Sequence, residues 1–183
     1  MPRLTLIDAT RSLDRFIVEA KECAQREMGF AAMLTIFPVM LSVSEVETPE
    51  ENMRPLIRSF VSRVDDYRSW LLHEGTNLNT EDLITLIYEL RNGLAHNAST
   101  PEGVYLVKSI NGLDATQEEC RGKKLVGIIE FIRTIEMYVQ IMIAERRGAV
   151  YDPNRRGSPR GPAERTNIRS LPVSGCRLPP DEE

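Results

Sequence analysis

The chain has 183 residues, 42% hydrophobic and 27% charged, with a formal net charge of −4 and a pI near 5.4. That length suffices for one domain with a proper core, or one domain plus a tail, and the composition excludes a wholly disordered protein. No global basic field draws the chain to nucleic acid or to an anionic membrane, so any nucleic-acid contact has to come from a local patch.

The first long segment spans about residues 8–46. In "SLDRFIVEAKECAQREM", Leu13, Phe16, Ile17, Ala20 and Ala24 recur at helical spacing. The most apolar run, "FAAMLTIFPVMLSV", continues it. That run is too short to span a bilayer comfortably and contains Pro38, so it reads as a buried helix. Pro38 lacks a backbone donor and is expected to kink or split the helix. The N-terminus lacks the apolar core of a signal peptide.

A second helix is expected over about residues 49–73, carrying Met53, Leu56, Ile57, Phe60, Val64, Trp70 and Leu71. Thr48 is its candidate N-cap, with Glu51 three residues on. His73 then falls at the helix end, where a capping or surface role is expected, with a second catalytic histidine as the alternative, and Trp70 and Tyr67 read as core. After the break "EGTNLN", Asn79 or Thr80 caps a third helix over about residues 80–96, with Glu81 and Asp82 in its first turn. Its core stripe is Leu83, Ile87, Leu90 and Leu94.

"GVYLVKSI" reads as a strand, which "NGLDATQEECRGKK" turns into an irregular hairpin. A last amphipathic helix, about residues 122–147, carries Leu125, Ile128, Ile129, Ile132, Ile135, Val139 and Ile143, with Met142 at the edge. Residues 148–183 are rich in Pro, Gly, Ser and Arg, without apolar period, and read as a mostly disordered tail. Its arginines Arg155, Arg156, Arg160, Arg165, Arg169 and Arg177 either bind RNA phosphates or form a solvated tail balanced by acidic neighbours. The expected fold is all-α: a bundle of four or five helices, residues 1–147, with a small β-hairpin or irregular insert before the last helix.

Cys23, Cys120 and Cys176 are odd in number and widely spaced. Neither a zinc site nor a disulfide framework is indicated, and a reducing cytoplasm fits best. The chain has no Gly-rich phosphate loop, no GxSxG elbow and no paired-carboxylate motif, and no cofactor or metal is implied.

The chemistry concentrates in "LIYELRNGLAHN", which holds one of two histidines. With Leu83 at 0° and about 100° per residue, Asn92 and His96 fall near 180° and 220°, opposite the core stripe. One reading is a solvated face with a histidine near a helix C-terminus, where its cation is favoured. Another uses the same geometry for catalysis. Asn92 and His96 are i and i+4, so Asn92 can orient the imidazole. Arg91 points about 140° away from His96. A second copy of the helix across a two-fold axis would bring an Arg91 opposite. Arginine offers a planar fork to phosphate oxygens, and histidine moves protons near neutral pH. Tyr88 lies between the two faces, for an interface or a base to stack on, and Glu89 reads as solvated.

"RNGLAH" resembles the Arg-x4-6-His motif of the HEPN superfamily, in which a polar residue, often Asn, follows the Arg. The resemblance covers roughly residues 8–147, with the motif on a late helix of an all-α domain, but only its six residues are specific. It implies a four- or five-helix bundle that dimerises through the motif region. It further implies a metal-independent endoribonuclease of toxin–antitoxin, abortive-infection or CRISPR-associated systems. On that resemblance, Arg91 binds or stabilises the phosphate, His96 acts on the 2′-hydroxyl or leaving group, and Asn92 assists. The partners implied are RNA, a second copy of the chain, and an antitoxin or nucleotidyltransferase, with no membrane. Some toxin members carry a tyrosine two residues after the histidine, which the nucleotidyltransferase modifies; here that position is Ala98. The superfamily also holds members without nuclease activity. The alternative is therefore a non-catalytic helical binding or regulatory module of a defence or plasmid-borne system.

Overall fold

A computed structural model describes residues 6–47, 52–64, 66–74 and 78–146. Helices α1 (Leu6–Gln25), α2 (Gly29–Glu47), α3 (Met53–Arg63), α4 (Thr80–Asn97) and α5 (Ile128–Arg146) form a mainly α-helical bundle. Strands β1 (Leu71–His73), β2 (Val104–Val107) and β3 (Lys124–Gly127) add a small sheet of order β1-β3-β2, completed just before α5.

The first helix breaks at residues 26–28, not at Pro38. Glu27 takes a left-handed φ of 64°. The Met28 amide then bonds the Cys23 carbonyl and the Glu27 amide bonds the Ala24 carbonyl, which satisfies the last carbonyls of α1 and reverses the chain. Pro38 stays inside α2. It follows Phe30 and Leu34 at four-residue steps along the exposed edge, so the Leu34 carbonyl that loses its donor lies on the watered side. The buried stripe of α1 is Ile17, Ala20 and Ala24, with Leu13 half-buried. Phe16, expected in the core, is 44% exposed.

The opposite face of α2, with Met33, Ile36, Phe37, Met40 and Val43, is buried, and the helix packs on α1, α3, α4 and α5. Ring pairs tie it to its neighbours. Phe131 of α5 meets Phe37 at 5.6 Å, Phe60 at 6.3 Å and Trp70 at 4.9 Å between centroids. Tyr138 is fully buried, and its hydroxyl bonds Ser44 Oγ at 3.0 Å while Ser44 donates to the Met40 carbonyl. Phe37 faces Phe131 and Ser44 faces Tyr138, so α2 and α5 run in the same direction.

The second predicted helix is too long by its last turns. It stops at Arg63, Asp66 accepts from the Arg68 amide and opens a 3-10 turn, and Leu71–His73 extends to pair antiparallel with β3. His73 thus sits on a strand, stacked on Tyr67 at 6.3 Å, rather than at a helix end. The expected cap at Thr48 and Glu51 lies outside the described residues. Trp70 is buried, as expected, and Tyr67 is half-buried with its hydroxyl accepting from the Leu78 amide.

The insert takes the irregular form and is not a hairpin. β2 and β3 pair in parallel. Parallel neighbours need a connection of about a dozen residues or more, and residues 108–123 provide it as successive turns. Ile110 and Cys120 pack on Leu125 beneath this crossover. Leu125, expected on the last helix, therefore belongs to β3, and α5 begins only at Ile128. Glu130 in its first turn is buried and accepts from Ser109 Oγ and the Ile110 amide, fastening the crossover to the helix.

Cys23 and Cys120 are free thiols. No helix among the described residues is long and apolar enough to cross a membrane. The predicted tail, residues 148–183, lies outside the described residues.

Candidate active site

Helix α4 carries the motif, and local chemistry sets both its ends. Asn79 Oδ1 accepts from the Asp82 amide at 2.9 Å, the expected N-cap, and Glu81 and Asp82 stand in the first turn, where the helix dipole favours them. At the other end Ala98 is left-handed, with φ 48°. Its amide and that of Ser99 both reach the Gly93 carbonyl. This wide final turn folds the chain back over Gly93, where an added Cβ would lie 2.6 Å from the Ser99 carbonyl oxygen. Glycine between Arg91 and His96 is thus a steric requirement of the turn that presents His96.

Gly93→Ala is accordingly expected to destabilise the protein by about 1–3 kcal/mol, the usual range for overpacking, despite alanine's better helix propensity. Chemical denaturation checks this. Unchanged or raised stability would show that the turn at residues 97–99 yields freely.

The buried face of α4 is Leu83, Ile84, Leu86, Ile87, Leu90 and Leu94. It contains the predicted stripe and is wider, because α4 packs on both α2 and α3. Arg91 and Asn92 are half-buried on its flank and back, and His96 is exposed in the last turn. Arg91 Nη1 donates to Asn92 Oδ1 at 3.1 Å. The sequence leads one to expect Asn92 to orient the imidazole. Its carbonyl is instead taken by Arg91, and the His96 imidazole has no hydrogen-bond partner among the described residues. Arg91 and Asn92 are thus brought together, while His96 stands apart. The Asn92 amide NH₂ keeps its donors for an incoming acceptor.

Glu89 is exposed, as expected of a solvated residue. Tyr88 packs against the core, and the Arg54 guanidinium from α3 lies 4.7 Å from its ring centroid. Sequence reasoning missed Arg54, and no local signal marks it, since the two residues meet only through the packing of α3 on α4. No group of three His, Cys, Asp or Glu side chains among the described residues is placed to hold a metal ion. A groove of about 620 Å³ opens between the α1–α2 turn, β2 and the start of α5, lined by Met28, Phe30, Leu106 and Ile128, among others. It includes none of the motif residues. No protein-family model, no curated protein and no solved structure matches the chain.

Proposed function

We propose that the chain is a metal-independent endoribonuclease of the HEPN type, working as a homodimer. The observation that carries this reading is the outer end of α4. It presents Arg91 hydrogen-bonded to an amide rather than to a carboxylate, with His96 exposed one turn further on. A guanidinium without an acidic partner keeps its charge for a phosphate. An exposed, unpartnered imidazole is free to move a proton.

The chemistry follows from those roles. An RNA 2′-hydroxyl loses its proton to one His96 as its oxygen attacks the adjacent phosphorus. The P–O5′ bond breaks and the leaving oxygen takes a proton from the second protomer's imidazole. The products are a 2′,3′-cyclic phosphate and a 5′-hydroxyl. Arg91 stabilises charge gathering on the non-bridging oxygens, and the Asn92 NH₂ adds a donor. The test is incubation of purified protein with mixed RNA in EDTA, beside His96→Ala.

The competing reading is a non-catalytic helical module serving an antitoxin, nucleotidyltransferase or other partner. The separation of His96 from Asn92 within one chain favours it. A two-fold axis along α4 would answer that separation, since Arg91 and His96 lie about 140° apart on the helix. We therefore expect light or X-ray scattering at micromolar concentration to give twice the chain mass, with α4 in the interface. A monomer, or a dimer formed through α1 alone, would count against the enzyme.

A further inference from the structure

The strongest feature beside the motif is the Arg54–Tyr88 contact. Helix α3 runs antiparallel to α4: Arg58 reaches Glu81 near the start of α4, and Arg54, one turn earlier on α3, reaches Tyr88. The next turn of α4 holds Arg91 and Asn92, the i+3 and i+4 neighbours of Tyr88, whose Cβ atoms lie about 5–6 Å from its own. Arg54 is therefore a neighbour of the motif in space.

The cations of α3 differ in how they are partnered. Arg58 and Arg63, on the same helix as Arg54, pair with Glu81 and Glu145. Among the described residues no carboxylate pairs with Arg54 or with Arg91. Arg54 is exposed, rests on a ring face and keeps its N–H donors toward solvent. Helical spacing puts Arg91 one turn from the residue on which Arg54 rests, and an anion lying between two such cations is attracted by both. A flat guanidinium on a tyrosine is also a platform on which an unpaired base stacks.

We propose that Arg54, seated on Tyr88, is a substrate-binding residue that grips single-stranded RNA beside the phosphate held by Arg91. This rests on the ribonuclease reading and names what that site would otherwise lack, a grip on the strand outside the scissile group. Arg54 binds a neighbouring phosphate, and the Tyr88 ring sets the plane and reach of its fork. Arg54 takes no part in proton transfer.

The test is fluorescence anisotropy with the full-length chain carrying His96→Ala, to prevent cleavage, and a short labelled single-stranded RNA. Adding Arg54→Ala is expected to weaken binding roughly tenfold. It should also lower the slope of log affinity against log salt by about 0.7 for each phosphate that is no longer neutralised. Arg54→Lys keeps the charge without the planar fork and should fall between the two. Arg58→Ala, one turn away and paired with Glu81, removes the same charge and should leave affinity unchanged. The thermal midpoint of Arg54→Ala should stay within a few degrees of its parent.

Equal losses in Arg54→Ala and Arg58→Ala would reduce the effect to net charge and overturn the proposal. So would a drop in thermal midpoint with unchanged affinity, which would make the Arg54–Tyr88 pair purely structural. If wild-type protein cleaves RNA and Arg54→Ala binds and cleaves as well as its parent, this inference falls and the ribonuclease reading stands. If RNA binds and Arg54→Ala weakens it, yet wild-type protein never cleaves, the reverse holds. If no variant binds RNA, both fall.

Discussion

His96→Ala lowers RNA cleavage by about 10²–10⁴-fold if His96 is the proton-transfer group, the span for loss of a general acid or base. That corresponds to roughly 3–5 kcal/mol of transition-state stabilisation. Arg91→Ala should be comparably severe, since it removes a charge aimed at the phosphate and releases the Asn92 carbonyl. Arg91→Lys should rescue little, because an ammonium lacks the planar fork. Both mutants should remain folded: His96 is exposed, and Arg91 lies outside the buried Leu83–Leu94 stripe. Activity is expected to survive EDTA, and a 2′-deoxy substitution at the cleaved nucleotide should block it by removing the nucleophile. Gel-based cleavage assays on wild type and variants read all of these. Activity that vanishes in EDTA, or that persists undiminished in His96→Ala, would sink the mechanism. Clean wild-type protein that cleaves none of many RNAs would shift the assignment to the binding module.

The second large effect concerns stability. Phe131→Ala should cost about 3–5 kcal/mol, the range for emptying a buried aromatic site. Phe131 is fully buried and is the one ring that touches Phe37 of α2, Phe60 of α3 and Trp70 beside the sheet. Its removal leaves a void bordered by three elements that cannot all close on it. Against a total stability of about 5–15 kcal/mol this is a large fraction. The thermal midpoint should fall by roughly 6–20 °C for a domain of this size. Phe131→Leu, which refills most of the volume, should lose much less. Circular dichroism melts measure both. A Phe131→Ala midpoint within two or three degrees of wild type would mean that the ring cluster is not where the bundle is joined.

Much of the candidate site was legible in one helix. The period of Leu83, Ile87, Leu90 and Leu94 placed Asn92 and His96 on the outer face, and the structure leaves His96 there, exposed. Asn79 as cap and the extent of α4 were readable too, since a cap and an apolar stripe involve residues three or four apart. The hydrogen bond of Arg91 to Asn92 was not, because two partners competed for one carbonyl and the period does not choose between them.

What the sequence determined by itself was a mainly helical chain, the whole extent of α4, most of the apolar faces that drive the helices together, and the lack of a Gly-rich phosphate loop or a Cys/His cluster motif. All of these depend on neighbours along the chain. Tertiary structure alone decided that residues 71–73 leave the second helix for a strand, that β2 and β3 run parallel, and that Arg54 meets Tyr88. Leu71 and Leu72 have side chains that suit a helix or a strand equally. Pairing with Val126 and Leu125 settles the choice, because backbone donors buried beside β3 must find partners there. Such pairings join segments far apart in the chain, and their energy exists only once the bundle has brought those segments together.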